Sequence, residues 1–309
     1  MKYSPIFIPT LCRHNHFRVC VESLGKNKDA KESVLYIALD YPINDSQWDG
    51  YKKILKYIKT IKGFKLVHVI KRTENYGAKK NFLEGKKEVF KKYDRIIVSE
   101  DDNEFSPNFL EYTNKGLLLY EENKMITAIC GHRHLFPVPK DYRCNYYFSK
   151  GFSAWGYGMW RDRYKKFVYT PNELKTFIYD KSFIQKIKIY YPSFYKSILS
   201  YIIKNQDMFG DGTVAIDMVR ENTYCVYPTV SKVRNHGHDG SGVNCGNMSE
   251  DLYSKQTIDS DSQFDYLGKA IIEDTLIVNA QREYYREGVI VKIKTLILRF
   301  LIILGITIK

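Results

Sequence analysis

Four short apolar runs punctuate the first 110 residues, and the segments between them repeat on a different period. Ile6–Ile8, Val34–Leu39, Leu66–Ile70 and Ile96–Val98 are rich in β-branched residues and bounded by polar or turn residues, the pattern of buried strands. His16–Leu24, Gln47–Ile61 and Gly77–Lys92 place apolar residues at helical spacing, with Phe82, Val89 and Phe90 on one face. Strand and helix in this alternation predict right-handed βαβ units and a parallel sheet. Ligands of such sheets bind beyond the carboxyl ends of the strands. Thr10–Arg13, Asp40, Arg72–Lys79 and Glu100–Asp102 are therefore expected to converge on one crevice.

From about Met125 the pattern changes. Aromatics and glycines crowd into YYFSKGFSAWGYGMW, and the α/β rhythm is lost. Residues 171–206 read as helical, 207–245 as loops around a short helix, and 246–265 as a polar, flexible segment, followed by a helix near Tyr266–Arg286. The stretch VKIKTLILRFLIILGITIK mixes apolar side chains with four basic ones. It is too short to span a bilayer comfortably; it suits an interfacial helix on anionic lipid, or a helix docked on the core or at a dimer interface. The expected organisation is a nucleotide-binding half at 1–124, an acceptor half of the same domain at 125–245, and a flexible segment with a helical tail at 246–309.

Composition narrows this picture. With 309 residues, 44% of them hydrophobic, the chain can bury one large core or two small ones. No run of eighteen apolar residues exists, and MKYSPIFIPTLCRHNH lacks the features of a secretory signal. Six scattered cysteines without a C-x-x-C pair suit free thiols in a reduced cytosol. A cytoplasmic protein is expected, soluble or peripheral on the inner face of the cytoplasmic membrane. The net charge of +13 suits an anionic partner. No nucleic-acid module is present, so nucleic acid is not expected among the partners.

The candidate chemistry lies in RIIVSEDDNEFSPNFL, where Glu100, Asp101 and Asp102 directly follow an apolar run. Three adjacent acids at a strand end repel one another unless a positive group sits among them, and such oxygens suit a hard divalent cation. Ser106 and Pro107 make a helix cap, but a cap needs one acid nearby, not three. Three H-x-H pairs occur: His14/His16, His132/His134 and His236/His238. The first sits at a helix start and the third flanks a glycine, so neither has strand geometry for chelation. The glycine group GHDGSGVNCG lacks a P-loop ending and suits a lid.

Taken together these segments resemble the GT-A glycosyltransferases, in particular the N-acetylglucosaminyltransferase type that starts complex N-glycans and its bacterial relatives in surface-polysaccharide synthesis. The Glu-Asp-Asp turn resembles that family's DxD-type site, PIFIPTLCRHNHFRVCVESL its first strand and Arg-containing turn, and YIALD its second strand. AWGYGMWRDRY resembles its aromatic acceptor-side segment, and AIDMVRENTYCVYPTVSKVRNHG its distal helix and closing loop. The resemblance covers roughly residues 3–240. It implies an α/β GT-A fold and a metal-dependent, inverting transfer of a hexosyl or N-acetylhexosaminyl group. The donor would be a UDP-sugar and the acceptor a glycan or lipid-linked glycan of surface polysaccharide or lipopolysaccharide.

Residue by residue, the resemblance implies that Asp102, with a late His238, holds Mn²⁺ or Mg²⁺ and that Asp101 contacts the ribose beside Glu100. Asp40 would face the uracil, and Thr10 and Arg13 the base or phosphates. Arg72, Asn75 and Lys79 would reach the ribose and diphosphate, and Trp155 and Trp160 the acceptor. The catalytic base would be Asp217, with Asp211 its rival, although Ile216 stands before Asp217 where the family has an aromatic residue. A nucleotidyltransferase making an activated sugar, or a non-catalytic nucleotide-sugar-binding protein, are the alternative functions.

Overall fold

The apolar runs form β1 (Ile6–Thr10), β2 (Val34–Leu39), β3 (Leu66–Lys71) and β4 (Arg95–Val98), joined by α1 (His14–Gly25), α2 (Asp45–Ile58) and α3 (Gly77–Phe90). The structure, a computed structural model, describes residues 3–163, 168–190, 192–242 and 250–306. These four strands lie parallel, in the order β3-β2-β1-β4. The acidic turn leads into β5 (Asn103–Phe105) and α4 (Phe109–Leu119). The sheet then continues where the sequence pattern no longer shows it, through β6 (Ile126–Cys130), β7 (Tyr146–Ser149) and β8 (Tyr157–Trp160).

A two-stranded pair, β9 (Val168–Tyr169) with β10 (Met208–Phe209), brackets three helices: α5 (Pro171–Phe177), α6 (Lys181–Tyr190) and α7 (Pro192–Ile203). After them come α8 (Asp211–Glu221), β11 (Tyr224–Pro228), β12 (Val233–Asn235), α9 (Thr275–Tyr284) and α10 (Val289–Ile303). The finished eight-stranded sheet runs β3-β2-β1-β4-β8-β6-β11-β7. β8 runs antiparallel to β4 and β6, and β7 antiparallel to β11, so the sheet is mixed and mostly parallel.

Both faces of β1, β2 and β4 are covered, which explains why these strands read as continuous apolar runs rather than alternating ones; the edge strand β3, expected to be buried, is largely exposed. Ile6, Ile8, Leu35 and Ile37 pack with Phe17 and Leu24 of α1 and Ile54 of α2. On the other face, Phe7, Tyr36 and Val98 pack with Val89 and Phe90 of α3 and Met218 of α8. Each such side chain, fully buried, contributes about 1.5–3 kcal/mol of transfer free energy. A third core gathers Ile198, Leu199 and Ile202 of α7 with Ile216 and Val219 of α8. Helix α8 is therefore shared: Val214 and Met218 face the sheet, Ile216 and Val219 the helical lobe. This fixes the position of its first residue, Asp211.

Of residues 246–265, read from their polarity as flexible, the described part from 250 on is pinned to the body of the protein, as is Tyr266 beyond it. Phe264 is buried edge-on against Tyr112, Tyr266 stacks on the same ring at 5.6 Å, and the buried Lys232 pairs with Asp259. Two aromatic anchors outweigh the acidic composition around them.

One glycine sets the site from behind. A Cβ on Gly50 of α2 would overlap the carbonyl oxygen of Cys12, so only glycine lets α2 press against the turn that carries Arg13. Gly50→Ala is expected to destabilise the protein by about 1–3 kcal/mol, the usual penalty of overpacking, measurable as a lower denaturant midpoint.

Candidate active site

The turn after β4 brings its acids against the turn after β1. Thr10 Oγ1 donates to Asp101 Oδ2 at 2.8 Å, and Arg13 Nη2 pairs with Asp101 and reaches Asp102 Oδ2 at 2.9 Å. The positive group that the acids require is thus Arg13 of this chain. A second element holds the cluster from the other side. β12 pairs antiparallel with β5, with Asn235 opposite Asn103. Asn235 Nδ2 then donates to Asp102 Oδ1 at 2.7 Å, and the His236 N–H donates to the Asp102 carbonyl at 2.9 Å. A Cβ on Gly237 would overlap the Asp102 carboxylate. His16 reaches Asp239 at 3.1 Å and His236 reaches Glu104 at 2.9 Å, fastening the loop 236–242 over the cluster. Gly242 ends the described part of the glycine group; its residues 243–246 lie outside the described residues.

The charges do not balance. Burial works against the Arg13 guanidinium, but Asp101 and Asp102 outweigh it and raise its pKa. Burial raises Asp101 and Arg13 opposes the rise. Glu100 is pushed well above the usual carboxylate range by burial, then by Asp102, Asp211 and Asp101. Glu100, Asp101 and Asp102 therefore share one guanidinium while Asp211 adds to the repulsion on Glu100, and Arg13 Nη1 is buried without a hydrogen bond. The cluster has negative charge in excess and an unused donor beside it.

The other strand ends arrive as expected, with their side chains mostly committed. Asp40 Oδ1 accepts the N–H groups of Tyr41 at 2.9 Å and Tyr76 at 2.8 Å, which leaves Oδ2 with only a 3.5 Å contact from Asn75. Asn75 itself bridges to the Tyr41 carbonyl. Arg72 donates to Asn81 at 3.0 Å and Glu88 at 2.9 Å, so it braces the turn against α3. Lys79 is exposed, its Nζ 5.4 Å from the Phe209 ring.

Phe209 leads to the opposite wall. Gly210, at φ 81, turns the chain into α8, and Asp211 opens that helix. Asp211 Oδ2 accepts the Ala154 N–H at 3.4 Å. The carboxylate is accessible to solvent yet recessed among protein atoms, and this desolvation raises its pKa to about 6. Next to Ala154, Trp155 belongs to an aromatic group: His132 at 4.7 Å, Tyr253 at 4.9 Å and His238 at 5.6 Å, with His238 stacked on Tyr253. His238 Nδ1 lies 3.7 Å from Asp251.

Two residues named from the sequence lie elsewhere. Asp217 is on a different face of α8 from Asp211, bound by the Tyr169 hydroxyl and 4.0 Å from Arg220. Trp160 pairs with Arg95 at the opposite end of β4 from the acids, is 3% exposed, and donates its indole N–H to the Leu117 carbonyl. The second H-x-H pair is divided as well: His132 lies against Trp155 and His134 against Tyr227, burial lowering their pKa values to about 3 and about 4. Gly237 opens the glycine group read as a lid, whereas Asn235 has no sequence signal beyond the short alternating segment VRNHG.

Among the described residues, no three His, Cys, Asp or Glu side chains converge as a preformed metal set. The hard oxygens of Asp102 and Glu100 and the surplus negative charge nevertheless fit a divalent cation that keeps water and phosphate among its ligands.

No protein-family model matches the chain, and no curated protein matches it. Among solved structures, it is similar to the mannosyltransferase PcManGT from Pyrobaculum calidifontis in complex with GDP-Man and Mn²⁺: 11% identity, TM-score 0.36, 52% of this chain and 45% of that one. It is also similar to S. aureus TarS, at 14% identity, TM-score 0.30, 47% of this chain and 25% of that one. The chain spans less than half the length of either. Scores this low decide neither its fold nor its chemistry, which rest on its own strands and side chains.

Proposed function

We propose that the protein is a glycosyltransferase that moves a sugar from a nucleotide donor, UDP-linked, to a hydroxyl of a glycan or lipid-linked glycan. The observation that carries this reading is the pairing of two walls. A carboxylate cluster with Arg13 sits at the carboxyl ends of the parallel strands, and a single recessed carboxylate, Asp211, faces it beside an aromatic platform. The first wall suits a nucleoside diphosphate, with Asp40 Oδ2 open to a base N–H, while Asp101 would reach the ribose only by giving up Thr10 or Arg13. Asp102 with Glu100 would hold Mn²⁺ or Mg²⁺, which neutralises charge on the leaving diphosphate. Arg13 Nη1 and the exposed Lys79 supply further positive charge to the same phosphates. Trp155 and Tyr253 offer faces to the apolar side of a sugar ring.

The step these residues support is one displacement. The acceptor hydroxyl oxygen attacks the anomeric carbon as that carbon's bond to the diphosphate breaks, and the electron pair departs on the phosphate oxygen. The hydroxyl proton passes to Asp211, and the configuration inverts. Asp211 is the better placed base because it faces the acids, whereas Asp217 is occupied by Tyr169 and Arg220.

Thermal unfolding with a panel of nucleotide sugars, with and without Mn²⁺, tests the reading. A UDP-sugar at a hundredfold excess over its Kd is expected to add about 2.7 kcal/mol. Added glycan should then release nucleoside diphosphate. Release of pyrophosphate would identify a nucleotidyltransferase, and binding without turnover a non-catalytic protein.

A further inference from the structure

Helix α10 is apolar on the side that faces the protein and on the side that faces away. Thr295 and Ile302 are buried, Leu298 and Leu301 join the core of the helical lobe against α7, and Arg299 donates to the Ile178 carbonyl at 3.2 Å. Docking thus uses one face. Val289, Ile293, Leu296, Phe300 and Ile303 lie on the opposite face and are 72%, 51%, 61%, 61% and 51% exposed. A helix apolar all round is normally buried, so this face is short of a partner.

The flanking charges say which partner. Ile290 and Ile297, 70% and 52% exposed, widen the stripe on one side; at 100° per residue Lys292 and Lys294 then fall on its two margins, and both are exposed. Helices α6, α7 and α10 carry Lys181, Lys186, Lys188, Lys196, Lys292, Lys294 and Arg299 and not one acidic residue, the lobe's acids lying on α5, on α8 and in turns. The alternating three- and four-residue spacing would also suit a seam with a second copy. But such a seam would set lysine against lysine with no acid to pair them, and it falls short of the roughly three to four heptads a coiled coil needs. An anionic surface meets no such conflict. Its acyl region takes the stripe while the lysines snorkel to the headgroups.

We infer that α10 is a docking surface for an anionic lipid bilayer, on which it lies in the plane. Its 15 residues extend about 22 Å against the ~30 Å hydrocarbon core, and no described helix is long and apolar enough to cross a membrane. This inference stands on α10 and its lobe alone and is independent of the sugar-transfer reading.

The test is co-sedimentation of the full chain with phosphatidylcholine vesicles containing or lacking phosphatidylglycerol. Binding is expected only with the anionic lipid and should weaken as salt is raised. Leu296→Glu with Phe300→Glu should abolish it, and Lys292→Glu with Lys294→Glu should lower it about tenfold or more. All four positions are solvent-facing, so both double variants should keep the wild-type melting temperature. Three results would overturn the inference: no binding to anionic vesicles, binding unchanged in both variants, or a stable dimer that Leu296→Glu with Phe300→Glu dissociates in the absence of vesicle binding.

Discussion

Asp211→Asn is expected to lower sugar transfer by about 10²–10⁴-fold, the usual loss on removing a positioned general base, while donor binding stays intact. Asp217→Asn should stay within a few fold of wild type, because its partners Tyr169 and Arg220 hold it on another face of α8. The pH dependence supplies a second reading of the same group. With a pKa of about 6, Asp211 is the ionised base above that pH, so wild-type transfer should fall as pH drops below 6. At pH 5 roughly a tenth of it remains ionised. Stability runs the other way. A carboxylate whose folded pKa lies above its unfolded value disfavours folding when charged. Its destabilising effect is absent below about pH 4, grows as pH rises, and is complete above about 6. Because Asp211 is exposed, solvent screening shrinks this effect, and Asp211→Asn should melt only slightly higher than wild type at pH 7.5 and equally at pH 4. A fully active Asp211→Asn beside an inactive Asp217→Asn would assign the base to Asp217 instead.

The part of this site that lies on β1 to β4 was legible in the sequence, and for a definite reason. Strands buried on both faces show as short β-branched runs, parallel pairing puts all their carboxyl ends on one edge, and the acids of 100–102 follow such a run directly. The rest depended on contacts between distant segments. β7 and β8 are four residues each, dense in Tyr, Phe and Gly, and each is placed by a partner far along the chain, so no local period announces them. Asn235 meets Asp102 across 133 residues because β12 happens to pair with β5. The resemblance singled out α8 without its orientation. Gly210 turns the chain so that the first residue of the helix, rather than its seventh, faces the acids. Trp155 and Trp160 share one aromatic segment, yet β8 runs antiparallel to β4, which sends the first to the acid end and the second to the far end. Polarity alone gave the segment 246–265 as flexible, whereas Phe264, with Tyr266 just beyond it, anchors its described part.

Asp102→Ala is expected to remove metal-dependent donor binding, at least a hundredfold in affinity, and to do so in a folded protein. Its two carboxylate oxygens are the point where both halves of the cluster meet: Oδ2 on Arg13 at 2.9 Å and Oδ1 on Asn235 at 2.7 Å. Without ligand these two donors spend their hydrogen bonds on Asp102, and the remaining carboxylates repel one another, as the raised Glu100 records. Asp102→Ala keeps the Arg13–Asp101 pair and removes one source of that repulsion, so two opposing effects on stability offset and the melting temperature should change little. The function has no such compensation. A divalent cation held by Asp102 and Glu100 would lose one of its two carboxylate ligands, and recruiting Asp101 in its place would break the hydrogen bonds from both Thr10 and Arg13. Isothermal titration of the UDP-sugar, with Mn²⁺ and with a chelator, separates the outcomes. Wild type should bind tightly only with Mn²⁺, and Asp102→Ala weakly in both. Wild-type binding that is equally tight in chelator would mean that Arg13 and Lys79 neutralise the diphosphate unaided, and the assignment of a metal to this cluster would fall.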